Sequence, residues 1–167
     1  IQGLEPGQQL LHLHGRPSLH YGWFSLDVGA ISRTGAAGIP IKPLEPALAF
    51  LDQQSGSDPQ PFRVIGAGAA GVEVVLALRR RWPQRALQLQ QRMGQLDPAV
   101  QHVLRKANIA VTDDDSYHNG PSLLCTGSQG PAWLATAGLP LDTDGRIHTD
   151  RYLRVEGHPS QIGRAHV

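Results

Sequence analysis

The sequence predicts an α/β fold in which strands and helices alternate to build a parallel sheet. Residues Phe62–Ile65 form a short apolar run that is typical of a buried strand. Residues 71–82 are apolar almost all round and then become basic, which predicts a buried helix whose last cations face the negative end of its dipole. Residues 86–90 alternate between apolar and polar side chains, so a second strand follows that helix.

The remaining elements are predicted from periodicity and from turn-forming residues. Residues 53–61 contain Ser, Gly, Asp and Pro and almost nothing to bury, so they are predicted to be a linker. The other predicted elements are strands at 9–14 and 19–26, helices at 44–51 and 98–107, strands at 109–111 and 122–125, a short helix near 133–137 and a hairpin turn at Asp144-Gly145.

Composition excludes several classes of function. A chain of 167 residues with 40% hydrophobic content can bury one sizeable core, and a formal charge of +1 provides no field for steering nucleic acid. Its single cysteine, Cys125, allows no internal disulfide and no Cys-x-x-Cys redox pair. Because no apolar run approaches the ~20 residues that span a bilayer, we expect no transmembrane segment and a cytoplasmic location.

The motif with the clearest chemistry is Gly66-Ala67-Gly68-Ala69-Ala70-Gly71, which matches G-x-G-x-x-G between a predicted strand and a predicted helix. In that context the first glycine makes a tight turn, the second lets the backbone approach a pyrophosphate, and the third lets helix and strand pack closely. Free amides of the helix N-terminus would face the anion. The sequence therefore predicts a Rossmann-like dinucleotide site, the alternative being a glycine-rich connection with no ligand.

The end of the second strand of such a unit usually selects the cofactor, with an acidic residue for NAD and a nearby Arg for NADP. Gln90, Gln91 and Arg92 stand there. No carboxylate is present, so a preference for NAD has no support, and Arg92 leaves NADP open alongside the alternative of a solvated surface arginine.

The other residues that could bind a metal or react chemically are predicted to have structural roles. His12 and His14 have the spacing of metal ligands, but no third ligand is evident, so we expect them to point outward from an edge strand and to bind no metal. Cys125 has no neighbouring base in the local sequence and is expected to be buried. Asp142-Thr143-Asp144-Gly145 lacks the later ligands of a calcium loop and is predicted to be a turn. No combination of serine, histidine and acid stands out.

The order of these parts resembles the two-dinucleotide-domain flavoproteins, the family of pyridine nucleotide-disulfide oxidoreductases and type II NADH dehydrogenases. Within it, the chain is most similar to the NADH-dehydrogenase-like half fused to selenide, water dikinase. The segments that carry the resemblance are Tyr21 with Ser25-Leu26-Asp27-Val28-Gly29, Ile39-Pro40-Ile41-Lys42-Pro43, the glycine motif with Val72-Glu73, Thr126-Gly127 with Gly130-Pro131-Ala132-Trp133-Leu134, and Gly138-Leu139 to Pro159.

The resemblance implies a FAD that is reduced by hydride from NAD(P)H and passes electrons to a quinone or another acceptor. It implies that the glycine motif and Glu73 lie at the nicotinamide nucleotide, and that Gly29, Thr126 and Gly127 lie beside the flavin where the chain crosses between domains. A homodimer and a peripheral membrane location stay open. The alternative is a non-catalytic nucleotide-binding module associated with a selenophosphate synthetase.

Three departures from the family pattern matter. The N-terminal glycine motif for the FAD pyrophosphate is missing, the Ala-Gly-Asp expected after Ser160 is absent, and the stretch between Val111 and Ser122 is short. We therefore expect a fragment: a Rossmann-like, three-layer NAD(P)-binding unit inserted in a partial FAD-binding domain, with residues 161–167 a non-native tail outside the fold. The expected segments are 1–54 (partial FAD-binding domain), 61–119 (shortened NAD(P)-binding unit), 120–160 (return of the FAD-binding domain) and 161–167 (tail).

Overall fold

The computed structural model describes residues 1–33, 38–91, 96–113 and 120–163. The helices are α1 (Leu44–Asp52), α2 (Ala69–Arg81) and α3 (Pro98–Lys106), with short 3₁₀ turns at Pro6–Gln8 and Ala132–Thr136. The strands are β1 (Gly3–Glu5), β2 (Leu10–His12), β3 (Leu19–His20), β4 (Phe24–Leu26), β5 (Ile31–Ser32), β6 (Ile39–Pro40), β7 (Phe62–Ile65), β8 (Leu87–Gln90), β9 (Ile109–Thr112), β10 (Ser122–Leu124), β11 (Ser128–Gln129), β12 (Arg154–Val155) and β13 (His158–Gly163).

The chain divides into two compact units. Unit 1 contains Ile1–Ile31 together with the described residues from Ser128 onward, and unit 2 contains Ser32–Gly127. No helix in the described part of the chain has the length and apolarity needed to cross a bilayer.

Unit 2 is built on a parallel sheet with the strand order β6-β10-β7-β8-β9. From β7 the chain steps outward through β8 to β9 and then returns to the other side of β7 as β10. This reversal next to β7 is a topological switch point of the Rossmann-like arrangement, and it confirms the predicted α/β fold class. The core is formed by Phe62, Val64, Leu89 and Leu123 from the strands and by Val75 from α2, all buried.

Residues 38–52 also belong to this unit. β6 pairs in parallel with β10, and Ala47 of α1 is fully buried in the same core as Phe62. The predicted helix at 44–51 is therefore confirmed, and it packs with the sheet that carries the glycine motif.

Arg85, which is buried in this core, forms hydrogen bonds with the segment predicted as a linker, residues 53–61. Its guanidinium donates to the carbonyl oxygens of Ser55 (2.7 Å) and Gln60 (3.2 Å) and to the carboxylate of Asp58 (3.1 Å). The segment itself has no buried residue, as predicted, and the buried group is an arginine that lies outside it.

Unit 1 contains two small sheets. β1, β2 and β3 form an antiparallel sheet with β2 in the centre, and β12, β13 and β4 form the other. The predicted single strand at 19–26 is in fact two strands, β3 and β4, which belong to different sheets. Their shared core includes Leu4, Leu11, Leu26, Leu139 and Val155.

The last strand corrects the expectation that residues 161–167 stand outside the fold. β13 runs to Gly163 and pairs in parallel with β4, with Gln161 opposite Phe24. The side chain of Gln161 is fully buried and donates to the Tyr21 hydroxyl at 2.8 Å. Residues 164–167 lie outside the described residues.

Candidate dinucleotide site at the glycine turn

The glycine turn, residues 66–71, leaves the carboxyl end of the buried central strand β7 at the switch point. Gly66 has φ = +108°, a conformation that side chains strongly disfavour. A Cβ at this position would also lie 2.4 Å from the carbonyl oxygen of Cys125, which follows β10. The turn is held by two backbone bonds, from Gly66 N–H to the Gln90 carbonyl (2.9 Å) and from Cys125 N–H to the Ile65 carbonyl (2.7 Å).

Gly71 lets α2 press against that turn. A Cβ at Gly71 would lie 1.7 Å from the carbonyl oxygen of Gly66, so no side chain fits there. The sequence predicts that this glycine lets helix and strand pack closely, and the contact lies at the turn that joins them.

Gly68 is different because it faces open space. It is the N-cap of α2, its φ is −72°, and a Cβ built on it would meet nothing within 4 Å. No side chain caps the helix, so the first amides of α2 are not satisfied by a capping residue. Uncapped amides beside open space are a ready-made anion site, since hydrogen-bond donors and the positive end of the helix dipole converge there.

Two of the other predicted residues adjoin the glycine turn. The Thr126 amide nitrogen would lie 3.1 Å from a Cβ on Gly66, and Gly127 follows it with φ = +92°. The Thr126 hydroxyl donates to the carbonyl oxygen of Arg33 at 3.1 Å. This bond ties the end of β10 to the residue that follows β5.

The remaining predicted residues have diverse positions. Gln90 is buried, with 3% of its surface exposed, and contributes its carbonyl to the turn rather than an exposed side chain. Glu73 is exposed on the first turns of α2. Arg92 lies outside the described residues. Gly29 belongs to unit 1, where it has φ = +68° and borders a cavity of about 20 Å³ that has room for about one water molecule.

A groove of about 610 Å³ lies beside the sheet in unit 2. Its lining includes Leu87 of β8, Gln101 and Arg105 of α3 and Val111 of β9, and it reaches Gln91 just beyond β8. This volume is within the range of small-molecule sites. Periodicity could not reveal it, because the groove depends on how α3 is placed against two strands.

Cys125 is buried behind the glycine turn, as expected, with 8% of its surface exposed. Burial raises the pKa of its thiol from the ordinary value near 9 to about 11. The thiolate, which is the reactive form, is therefore scarce at neutral pH.

We predict slow labelling of Cys125 as a consequence. With the pKa about two units higher, the folded protein should react with a neutral disulfide reagent at least about a hundredfold more slowly than the unfolded chain near pH 8. Thiol titration with and without urea measures this ratio. Equal rates in both states would contradict the burial of this side chain.

The expected turn at Asp142–Gly145 is confirmed. The Asp142 carboxylate accepts from the backbone N–H groups of Arg146 and Asp144, both at 2.8 Å, and Gly145 has φ = +69°. The bond from the Arg146 N–H is the main reason that the pKa of Asp142 is lowered.

The histidines are placed differently from the prediction. β2 is the central strand of its sheet and not an edge, His12 ends it, and His14 lies in the following turn. Within the described ranges, no group of three His, Cys, Asp or Glu side chains could hold a metal ion.

Comparisons with known proteins agree on the fold. The chain is similar to a FAD-dependent pyridine nucleotide-disulphide oxidoreductase from Desulfovibrio vulgaris (TM-score 0.71, 18% identity, 97% of this chain and 51% of that one). It is also similar to a water-forming NADH oxidase from Lactobacillus brevis bound to NADH (TM-score 0.73, 18% identity, 96% of this chain and 44% of that one). A third similar structure is a NAD-dependent persulfide reductase from A. fulgidus (TM-score 0.73, 18% identity, 96% of this chain and 37% of that one).

The chain thus spans about half or less of the length of these three structures. No family model matches the sequence. No curated protein matches it either.

Proposed function

We propose that the glycine turn binds the pyrophosphate of NADH or NADPH, and that the chain is part of a FAD-dependent NAD(P)H oxidoreductase. The observation that carries the proposal is the open approach to Gly68 at an uncapped helix N-terminus, at the switch point of a parallel sheet. A side chain at Gly66 or Gly71 would clash with backbone atoms, whereas a side chain at Gly68 would meet nothing in the protein. A bound pyrophosphate would explain why a residue without a side chain stands at position 68.

The groove beside β8 supports the same proposal. It begins near the end of the strand that usually contacts the adenosine half of a dinucleotide, and its volume of about 610 Å³ suits a nucleoside. We include Glu73, Gln90 and Arg92 in the proposed site, with Thr126 and Gly127 at its border. Arg92 makes NADPH as reasonable a ligand as NADH.

The flavin part of the proposal rests on the similar structures, of which one is a FAD-dependent oxidoreductase and another is an NADH oxidase bound to NADH. A bound FAD would supply the redox chemistry by accepting hydride from the nicotinamide. The residues described here do not fit a flavin by themselves, because the cavity beside Gly29 is only about 20 Å³. We therefore expect this chain alone to bind FAD weakly, which a visible flavin spectrum of the purified protein checks.

The acceptor of the electrons is a further part of the proposal. The resemblance in the sequence favours a quinone or another acceptor and an association with a selenophosphate synthetase. A non-catalytic nucleotide-binding module is the second candidate, favoured by the poor fit to a flavin. Oxidation of NAD(P)H with a dye acceptor by a longer version of the chain would favour the enzyme.

The test of the nucleotide site uses Gly68→Ala. A methyl group at this position meets nothing in the protein but would occupy the space of the pyrophosphate, so we expect affinity for the preferred nucleotide to fall about tenfold or more. Titration of the parent chain and the variant with NADH and NADPH, followed by nicotinamide fluorescence, measures this loss.

The matched control is Gly22→Ala, since a Cβ at Gly22 also meets nothing within 4 Å and this glycine lies in unit 1. It should leave both affinities unchanged. Thermal unfolding accompanies both variants, and a loss of about 1 kcal/mol or less is expected for Gly68→Ala because alanine is a poorer N-cap than glycine. Unchanged affinity of Gly68→Ala for both nucleotides would refute the proposed site.

A further inference from the structure

Three polar side chains line up across one face of the β1-β2-β3 sheet in unit 1. His12 is opposite Gly3 of β1, and Leu11 is opposite Leu19 of β3. Since side chains alternate along a strand, Glu5 is on the same face as Gly3, and Ser18 comes next to His12 just before β3 begins. The sheet register therefore collects an acid, an imidazole and a hydroxyl from separate parts of the chain.

The distances between these groups describe a continuous hydrogen-bonded relay. His12 Nε2 lies 2.6 Å from Glu5 Oε1, and His12 Nδ1 lies 2.9 Å from Ser18 Oγ. An ionised carboxylate can only accept, so it favours the tautomer with hydrogen on Nε2. The lone pair of Nδ1 then faces the Ser18 hydroxyl, which donates to it.

Gly3 allows the imidazole to lie in this position. A Cβ on Gly3 would lie 3.4 Å from Cδ2 of His12, which is ordinary contact, so a larger side chain there would crowd the ring. The relay is open to solvent: His12 is 35% exposed and Glu5 43% exposed, and Ser18 is also exposed.

We propose that Ser18 is a nucleophile that accepts acyl groups from small activated carboxylic esters, with His12 as its general base and Glu5 as the positioning residue. A nucleophile bonded to a base that is oriented by a third group is the arrangement that activates serine. As Oγ forms its bond to the acyl carbon, its proton passes to His12 Nδ1. The bond from that carbon to the leaving oxygen breaks, and the alkoxide or phenolate departs with the electron pair.

Glu5 stabilises the imidazolium that this step creates, and His12 then returns its proton to solvent or to the leaving oxygen. The expected product is an acylated serine that forms faster than water hydrolyses it. All three residues belong to unit 1, whereas the glycine turn belongs to unit 2.

The probe is p-nitrophenyl acetate added to the full chain. We expect a burst of p-nitrophenolate that approaches one equivalent, with the acetyl group mapped to Ser18 by peptide mass spectrometry. Ser18→Ala should abolish the burst, and His12→Gln should slow it about a hundredfold. Acetylation confined to Lys42, Lys106 and the amino terminus, or a rate on Ser18 that does not depend on His12, would overturn the proposal.

Four further variants separate a chemical role of these residues from a structural one. Glu5→Gln should slow the burst about tenfold, and Glu5→Asp should restore part of the rate. Added imidazole should rescue His12→Gly, which a purely structural role would not allow. His20→Gln is the matched control, because His20 is an exposed histidine opposite Leu10 on the same face, and it should react like the parent. Failure of imidazole rescue in a variant with the parent's circular dichroism would also refute the relay.

Discussion

Gly71→Ala should unfold unit 2 or destabilise it by about 3 kcal/mol or more. The added methyl group would lie 1.7 Å from the backbone carbonyl oxygen of Gly66, and a Cβ is fixed to its own backbone, so neither atom can turn away. α2 could accept the side chain only by moving away from β7, which would remove Val75 and Leu78 from the core. In an ordinary helix interior the same substitution would stabilise by about 1 kcal/mol, so the sign of the effect is diagnostic.

Urea unfolding followed by circular dichroism measures this loss. Gly68→Ala is the internal control, because it adds the same methyl group three residues earlier where nothing lies within 4 Å. The two variants should therefore separate: Gly71→Ala loses the fold together with nucleotide binding, and Gly68→Ala loses binding alone. Stability of Gly71→Ala within about 0.5 kcal/mol of the parent would contradict the described contact between helix and turn.

Arg85→Met should cost about 3 to 5 kcal/mol. The Arg85 side chain has no exposed surface, and its guanidinium lies over the rings of Trp82 and Phe62 at 5.0 and 5.4 Å. Methionine fills part of the volume but leaves the carbonyl oxygens of Ser55 and Gln60 without this donor. Hydrogen bonds from a charged donor contribute about 1.5 to 3 kcal/mol each, so losing several is severe.

Two further variants show which contacts of Arg85 contribute to the free energy of unfolding. Asp58→Asn should cost much less, since Asp58 is 34% exposed and water can solvate what remains. Arg80→Met replaces an exposed arginine on α2 and should change the free energy of unfolding by no more than about 0.5 kcal/mol. Thermal and urea unfolding of the three variants give the ranking, and equal losses for Arg85→Met and Arg80→Met would refute the role of Arg85.

Local patterns were sufficient for the part of the fold around the glycine turn. β7 was predicted with its observed bounds, and α2 was predicted to begin two residues late, at Gly71 instead of Ala69. Both elements carry their signal within a few residues, as an apolar run, three glycines and a basic helix end. The functions of Gly66 and Gly71 in the turn follow from the same spacing.

Long-range pairing explains what local patterns missed. The run at 19–26 alternates well enough for one strand, but Phe24 pairs with Gln161 while Leu19 pairs with Leu11, so the chain changes sheets between them. The same pairing gives residues 161–163 a place in the fold. The contacts among Glu5, His12 and Ser18 need the register of three strands, and the burial of Arg85 needs the aromatic rings of Phe62 and Trp82.

The position of β10 has a consequence for the order in which the glycine turn is completed. The glycine turn is synthesised before two of its supports, the carbonyl of Gln90 and the N–H of Cys125, and Cys125 follows Gly66 by about 60 residues. A nascent chain therefore displays the glycine motif long before the backbone around Gly66 is fixed.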